Sequence, residues 1–317
     1  MKKKNITFAL SLVFLSTSLL SCSKSDTSNQ TWEVDNKYFQ ERTEQKGSVE
    51  SFTYTTKDYY LKSGKEEVKK CNVYLPYGYD SSKQYNILYL IHGTDKQSVD
   101  HINTWLETIQ ARTMLDNMIY YQIIEPLIVV TPTFYSYGLY GDDNISNIKD
   151  YSPVKQNSNE NFKDELRYDI VPKIEKKYST YANSESEEDL KASRDHRAIA
   201  GLSNGCRLTL SSGMVANYDY FSYFGCFSSS IDSKEIISAL ASDKFKDLKL
   251  NYMFNADGIF DFAYNSHKKM VSELLEDKNN IFTEDNTEYV TINMGYHSAR
   301  SWRVGLYDAL LKFFKVA

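Results

Sequence analysis

Apolar and polar positions along this chain fall into two periods that take turns. Ser51-Phe-Thr-Tyr-Thr-Thr56 and Val68 to Leu75 alternate residue by residue, the pattern of antiparallel strands at a sheet edge. Tyr85-Asn-Ile-Leu-Tyr-Leu-Ile91 and Pro126-Leu-Ile-Val-Val-Thr131 are nearly unbroken apolar runs, expected of strands covered on both faces. Helical spacing runs from Ile102 to about Tyr121 and from Asn161 to Tyr178, where Leu166, Ile170, Ile174 and Tyr178 share a face. The later part of the chain repeats strand then helix. Phe221 to Phe227 precedes Ser233 to Ala241, Leu248 to Ala256 precedes Phe262 to Leu275, and Glu288 to Met294 precedes Ser298 to Phe314. Such alternation needs crossover connections, so the sequence predicts one α/β sandwich with a mainly parallel sheet and antiparallel strands at its N-terminal edge. Two stretches break the rhythm. The polar segment Asn183 to Asp195 reads as loop, and Pro132 to Glu160 is a long irregular stretch carrying several aromatics and a Gly141-Asp-Asp-Asn144 turn.

One motif sits where the strand and helix patterns meet. Arg197-Ala-Ile-Ala-Gly-Leu-Ser-Asn-Gly205 is an apolar rise into Gly-x-Ser-x-Gly, followed by a helical pattern from Cys206 to Tyr218. That is the context of a nucleophile elbow, in which Ser203 occupies a tight strand-to-helix turn at the carboxyl end of the sheet. A serine hydroxyl needs a base, and the base needs an orienting carboxylate, both carried on loops after later strands. Two histidines follow Ser203. His267 lies inside an amphipathic helix, whereas His297 follows the last strand on a loop, so His297 is the expected base. Asp257 and Asp261 both follow the strand ending at Ala256, and residue chemistry does not separate them. The oxyanion formed on attack needs two backbone N–H donors. Asn204, directly after the nucleophile, and Thr94, in the loop His92-Gly93-Thr94, are the candidates. His92 reads as structural.

Composition narrows the setting. At 317 residues with 41% hydrophobic content the chain can build a sizeable core, and a net charge of -5 without a basic tract argues against nucleic acid as partner. Lys2-Lys3-Lys4 ahead of the apolar stretch Ile6 to Leu20, ending Leu19-Leu20-Ser21-Cys22, resembles a bacterial lipoprotein signal. The expected organisation is a signal peptide over 1–22, a flexible tether over 23–48 and a catalytic domain over 49–317. Cys22 would then be the lipidated first residue of an exported protein anchored in the cell envelope. Cys71, Cys206 and Cys226 remain, each in an apolar context; a Cys206–Cys226 bridge is compatible with export, though the sequence does not decide it. No Cys/His spacing suggests a metal site.

Several motifs in order resemble the esterase D group, and more narrowly the feruloyl esterases of carbohydrate esterase family one. They are Tyr85 to Gly93 ending Ile-His-Gly, Val129-Val-Thr-Pro-Thr-Phe134, the Asn161 to Tyr178 helix followed by Ser179-Thr-Tyr181, and His196-Arg-Ala-Ile-Ala-Gly-Leu-Ser203. Gly258-Ile-Phe-Asp-Phe-Ala-Tyr264 is similar to the family's acid loop, which selects Asp261, and Gly295-Tyr-His-Ser-Ala-Arg-Ser-Trp302 to its histidine loop. The likeness spans roughly residues 50 to 316. It implies an α/β-hydrolase fold with a Ser203–His297–Asp261 triad and no cofactor. The implied substrates are feruloyl or other hydroxycinnamoyl esters, with acetyl esters second, on plant-wall xylan or its fragments. Trp105, Phe134 and Tyr135 are then expected to stack on the hydroxycinnamoyl ring or a sugar, and Trp302 to pack beneath the histidine loop. The chain departs from the family's Met-Gly-Gly after the serine, having Asn204-Gly205-Cys206, and its Thr94-Asp95 loop lacks extra glycines. Two further classes share these features: an acyltransferase on the same triad, and a glycan-binding lipoprotein without catalysis.

Overall fold

The computed structural model describes residues 29–31, 33–59, 63–94, 101–135 and 161–315. Cys22, the whole signal segment, and Gly141-Asp-Asp-Asn144 with most of the irregular stretch lie outside the described residues. The strands are β1 (Asn29–Thr31), β2 (Ser48–Lys57), β3 (Glu66–Leu75), β4 (Asn86–Ile91), β5 (Leu127–Thr131), β6 (Arg197–Leu202), β7 (Tyr223–Phe227), β8 (Tyr252–Gly258) and β9 (Thr287–Ile292). They form one sheet in the order β1-β9-β8-β7-β6-β4-β5-β3-β2. Only the β2–β3 and β3–β5 pairs are antiparallel, so the rest is the parallel sheet that the strand–helix alternation predicts. This is the α/β-hydrolase architecture.

Alternation along the strands divides the core between the two faces. Ile87, Tyr89 and Ile91 of β4 join Ile128, Val130, Ile199 and Phe224 on one side. Leu88 and Leu90 join Val129, Ala198, Ala200 and Phe227 on the other. Both faces are therefore dry, which is why these runs read as almost continuously apolar. The helix Ala299–Leu310 covers the second face through Val304, Leu306 and Ala309, and the helical run over 162–177 covers the first through Leu166, Ile170 and Ile174.

Three expectations change. Residues 29–47, read as tether for their polarity, are built into the domain. β1 pairs in parallel with β9, Tyr38 is buried against Tyr307, and the Asn117 amide donates to the Tyr38 and Gln40 carbonyls. Backbone pairing, the Tyr38 anchor and polar ties such as Thr113 to Glu41 and the Gly47 N–H to Asp116 hold this segment, and none of them leaves a periodic pattern. Within Asn183 to Asp195, Glu187–Ala192 is a helix whose Ser186 hydroxyl accepts from the Asp189 N–H; its charged faces disguise it as loop. The expected helix from Ile102 to Tyr121 is broken at Gln110, whose φ is 64°, and Ala111–Tyr120 alone is α-helical.

The start of the nucleophile strand is fixed by charge rather than apolar packing. The Arg197 side chain is fully buried, donating to Glu175 Oε2 at 2.8 Å, to the Leu190 and Tyr220 carbonyls at 2.8 and 2.6 Å, and to Ser193 Oγ at 2.8 Å. Glu175 also accepts from the Tyr89 and Thr180 hydroxyls. Removing one member of such a pair strands the other charge in a dry interior. Arg197→Met is expected to lower unfolding free energy by about 3–5 kcal/mol, with much of that restored in Arg197→Met/Glu175→Leu, as read by urea denaturation.

Candidate active site

Ser203 directly follows β6 and precedes the helix Asn204–Leu208 with φ 52° and ψ -120°, a conformation that costs on the order of 1–3 kcal/mol. Neighbours on both sides enforce it. The Ser203 N–H donates to the Phe227 carbonyl at 2.8 Å, tying the turn to the end of β7. Gly205 lies against β4 so closely that a Cβ there would stand 2.2 Å from the Ile91 carbonyl oxygen. Any side chain at 205 would push the helix off the sheet and release the turn.

The acid and histidine loops leave β8 and β9, the next strands along the sheet. They are pressed together backbone to backbone: a Cβ on Gly258 would lie 2.2 Å from the Gly295 carbonyl carbon, and the Phe260 N–H donates to the Gly295 carbonyl at 2.9 Å. This contact sets Asp261 beside His297, whose Nδ1 stands 3.0 and 3.1 Å from the two carboxylate oxygens. The Asp261 side chain is fully shielded, while that of His297 keeps 23% exposure. Burial alone would raise the Asp261 pKa. Hydrogen bonds from the His297 and Ser228 side chains and from the Ala263 N–H outweigh it and hold the carboxyl below its ordinary range.

Ser228, which sequence reasoning missed, joins these parts. It directly follows Phe227, donates to Asp261, and accepts from the Trp302 indole N–H at 2.8 Å. Trp302 in turn meets His297 edge to face at 5.1 Å. The signal that could have found it is its place, one residue past the strand beside the nucleophile strand, where open α/β sheets collect functional groups.

Asp257 and His267 have a different arrangement. Each side chain is completely buried; His267 Nδ1 lies 2.6 Å from Asp257 Oδ2, the Tyr289 hydroxyl donates to the same oxygen at 2.9 Å, and His267 Nε2 meets Asn255 Oδ1 at 3.1 Å. Asp257 is thus engaged elsewhere, and Asp261 is the carboxylate that meets His297.

The oxyanion candidates flank the serine. Asn204 is the first helical residue, whose N–H has no carbonyl one turn back within the helix. On the other side, a Cβ on Gly93 would stand 3.3 Å from Ser203 Cβ, so this loop lies against the candidate nucleophile. His92 Nδ1 is 2.7 Å from the Gly93 carbonyl oxygen, and Nε2 is 2.9 Å from Thr133 Oγ1. Burial keeps the ring neutral, so Nδ1–H donates and Nε2 accepts. The Gly93 carbonyl and the Thr94 N–H belong to one planar trans peptide and point in opposite directions. By holding the carbonyl, His92 therefore orients the N–H.

The three aromatics expected to line the site do not do so. Trp105, Phe134 and Tyr135 have no exposed surface. Trp105 donates its indole N–H to the Ile91 carbonyl at 2.9 Å, while Phe134 stacks on His92 at 4.3 Å and Tyr135 packs against both. Large rings next to loops are as useful for filling the space beneath them as for meeting ligand. Cys71, Cys206 and Cys226 are buried free thiols; Cys206 and Cys226 are neighbours and are unbridged. Among the described residues no cluster of three or more His, Cys, Asp or Glu side chains is arranged to hold a metal.

Comparison with known proteins decides the family. The family model Esterase matches residues 62–273. The chain belongs to the esterase family. A feruloyl esterase module from Clostridium thermocellum, solved with sinapinate, superposes on this esterase with a TM-score of 0.74 at 29% identity, over 90% of this chain and 94% of the module. That match, with the next, sets the chain among the feruloyl esterase-like carbohydrate esterases. Endo-1,4-beta-xylanase Y of Acetivibrio thermocellus is 32% identical over 282 residues, which are 85% of this chain and 23% of that protein. An endo-1,4-beta-xylanase/feruloyl esterase of Xylanibacter ruminicola is 30% identical over 164 residues, half of this chain and 18% of that protein. This esterase thus spans about a quarter or less of the curated relatives it matches. A ferulic acid esterase from Anaeromyces mucronatus shares the fold, with a TM-score of 0.67 at 19% identity.

The Asp261 carboxyl has a pH signature. Its folded-state pKa lies below the ordinary value near ~4, so its ionised form stabilises the fold above that value. That contribution fades as pH falls through the lower folded-state pKa. Asp261→Asn is expected to be less stable than the parent at pH 7, with the gap narrowing as pH falls below the ordinary carboxylate value of about 4, as followed by urea unfolding across the range.

Proposed function

We propose that this esterase is a serine hydrolase that removes feruloyl, or secondarily acetyl, groups from xylan fragments through an acyl-enzyme. The observation that carries the reading is the seating of His297 Nδ1 against both oxygens of the buried Asp261 carboxylate, on loops after β8 and β9, two and three strands along the sheet from the β6 strand that leads into Ser203. Asp261 fixes the tautomer with the proton on Nδ1, leaving Nε2 as base. Ser203 Oγ attacks the ester carbonyl carbon as its proton passes to Nε2. The negative charge goes to the carbonyl oxygen, met by the Asn204 and Thr94 N–H groups. Collapse breaks the bond to the sugar oxygen, which leaves as an alcohol with the proton from His297. Water then attacks the acyl carbon and gives a proton to His297; the bond to Ser203 Oγ breaks, His297 returns the proton to Oγ, and the carboxylic acid leaves. The xylan assignment draws on two relatives, one named an endo-1,4-beta-xylanase and the other an endo-1,4-beta-xylanase/feruloyl esterase.

Ser203→Ala should reduce kcat on methyl ferulate by roughly 10⁵–10⁶, as for other triad nucleophiles. Parent-like turnover in stopped assays of ferulate release would remove the mechanism.

We also propose that the mature protein is a lipoprotein anchored through Cys22 to the cell envelope, a reading supported by the sequence motif Leu19-Leu20-Ser21-Cys22 after a basic and apolar leader. Cys22→Ser is expected to abolish incorporation of labelled fatty acid and to leave an unprocessed precursor on gels. Persistent labelling would exclude Cys22 as the site.

A further inference from the structure

The rings buried beneath the oxyanion loop have an exposed counterpart on the opposite flank of the site. Phe260 and Phe262 bracket Asp261 on the acid loop, and Tyr296 precedes His297 on the histidine loop. They are 53%, 81% and 57% exposed, high for large apolar side chains in so small an area. Phe262 lies over the His297 ring with centroids 4.3 Å apart and planes at 30°, and Phe260 and Tyr296 pair at 5.1 Å and 32°. Their backbones are held by the tight Gly258–Gly295 contact, so the rings stand on a rigid base rather than on a free loop.

Reaction chemistry says which half of a substrate reaches them. The acyl carbon is bonded to Ser203, and its oxyanion turns toward Asn204 and Thr94. The oxygen that departs must lie at His297, because His297 supplies its proton. Whatever carries that oxygen therefore rests over the exposed side of His297, where these rings are. Flat apolar faces complement the C–H faces of a pyranose or furanose, while sugar hydroxyls stay in water at so open a surface. Resting on the esterase reading above, we propose that Phe260, Phe262 and Tyr296 form the subsite for the saccharide that carries the ester, and set the preference for carbohydrate esters over simple alkyl esters.

The test compares the parent with Phe260→Ala, Tyr296→Ala and the double variant on methyl ferulate and on a feruloylated arabinoxylan oligosaccharide. The readout is the ratio of kcat/KM for the oligosaccharide ester to that for the methyl ester. Each single change is expected to lower this ratio about threefold to tenfold, the range of a single aromatic contact. The loss should come through KM for the oligosaccharide, and Tyr296→Phe should restore it. An unchanged ratio with active enzyme overturns the subsite and leaves the esterase reading standing, as does an equal loss on both esters. Sedimentation of the same variants identifies one other occupant: a parent dimer that Phe260→Ala splits, with the ratio unchanged, makes the rings a self-association surface and overturns the proposal. A parent inactive on both esters overturns the esterase reading itself, and the subsite with it.

Discussion

A serine held at positive φ is the constraint that the remaining structure serves. Left alone, the turn at Ser203 would relax to an ordinary backbone angle and carry the hydroxyl away from the sheet end. Two contacts prevent this, the N–H bond to the Phe227 carbonyl and the seating of Gly205 against the Ile91 and His92 carbonyls. Both reach to the neighbouring strands, so the strain at one residue is borne by the registry of β7, β6 and β4. That registry is in turn fixed at the other end of β6, where Arg197 is closed in by Glu175 and two backbone carbonyls. A strand locked at its first residue cannot slide to relieve strain after its last.

The same economy of position governs the oxyanion loop. His92, Phe134 and Tyr135 form a dry aromatic cluster beside Gly93, and Trp105 is buried in the core on the other face of the sheet. Trp105 holds the Ile91 carbonyl, and His92 holds the Gly93 carbonyl and, through one rigid peptide unit, the direction of a single N–H. Preorganising a donor in this way spends folding energy on a group whose partner appears only when negative charge develops.

How much of this was legible in the sequence depends on how local each cause is. The parallel strands were visible because burial on both faces leaves apolar runs, and the elbow was visible because close backbone approach at 201 and 205 admits only glycine. Asp261 was not separable from Asp257 by residue type, since both follow the same strand; resemblance to a family acid loop favoured Asp261, and in the structure it is Asp261 that meets His297. The aromatics show the limit most plainly. Trp105, Phe134 and Tyr135 have the composition of a binding site and the burial of a core, and nothing in the order of residues distinguishes the two. Ser228 and the short strand Asn29–Thr31 act through contacts far away in the chain, with no period or motif to betray them.

Two Asp–His pairs lie within one loop of each other, and their contrast explains why only one suits catalysis. In the Asp257–His267 pair both side chains are closed off from solvent; Tyr289 donates to the Asp257 oxygen that faces His267 and Asn255 meets His267 Nε2, and although burial by itself would lower the His267 pKa, the Asp257 charge raises it. A histidine so enclosed has neither a free nitrogen for a nucleophile nor a path for a proton. Its place in the helix Tyr264–Leu275, tied to the end of β8, makes it a clamp on the start of the acid loop. His297 differs in that its Nδ1 meets Asp261 while its side chain keeps exposed surface, with the Phe262 ring stacked on it. The chemistry of the two pairs is the same; exposed imidazole surface is what suits one of them to the proposed role of base and leaves the other a fastening.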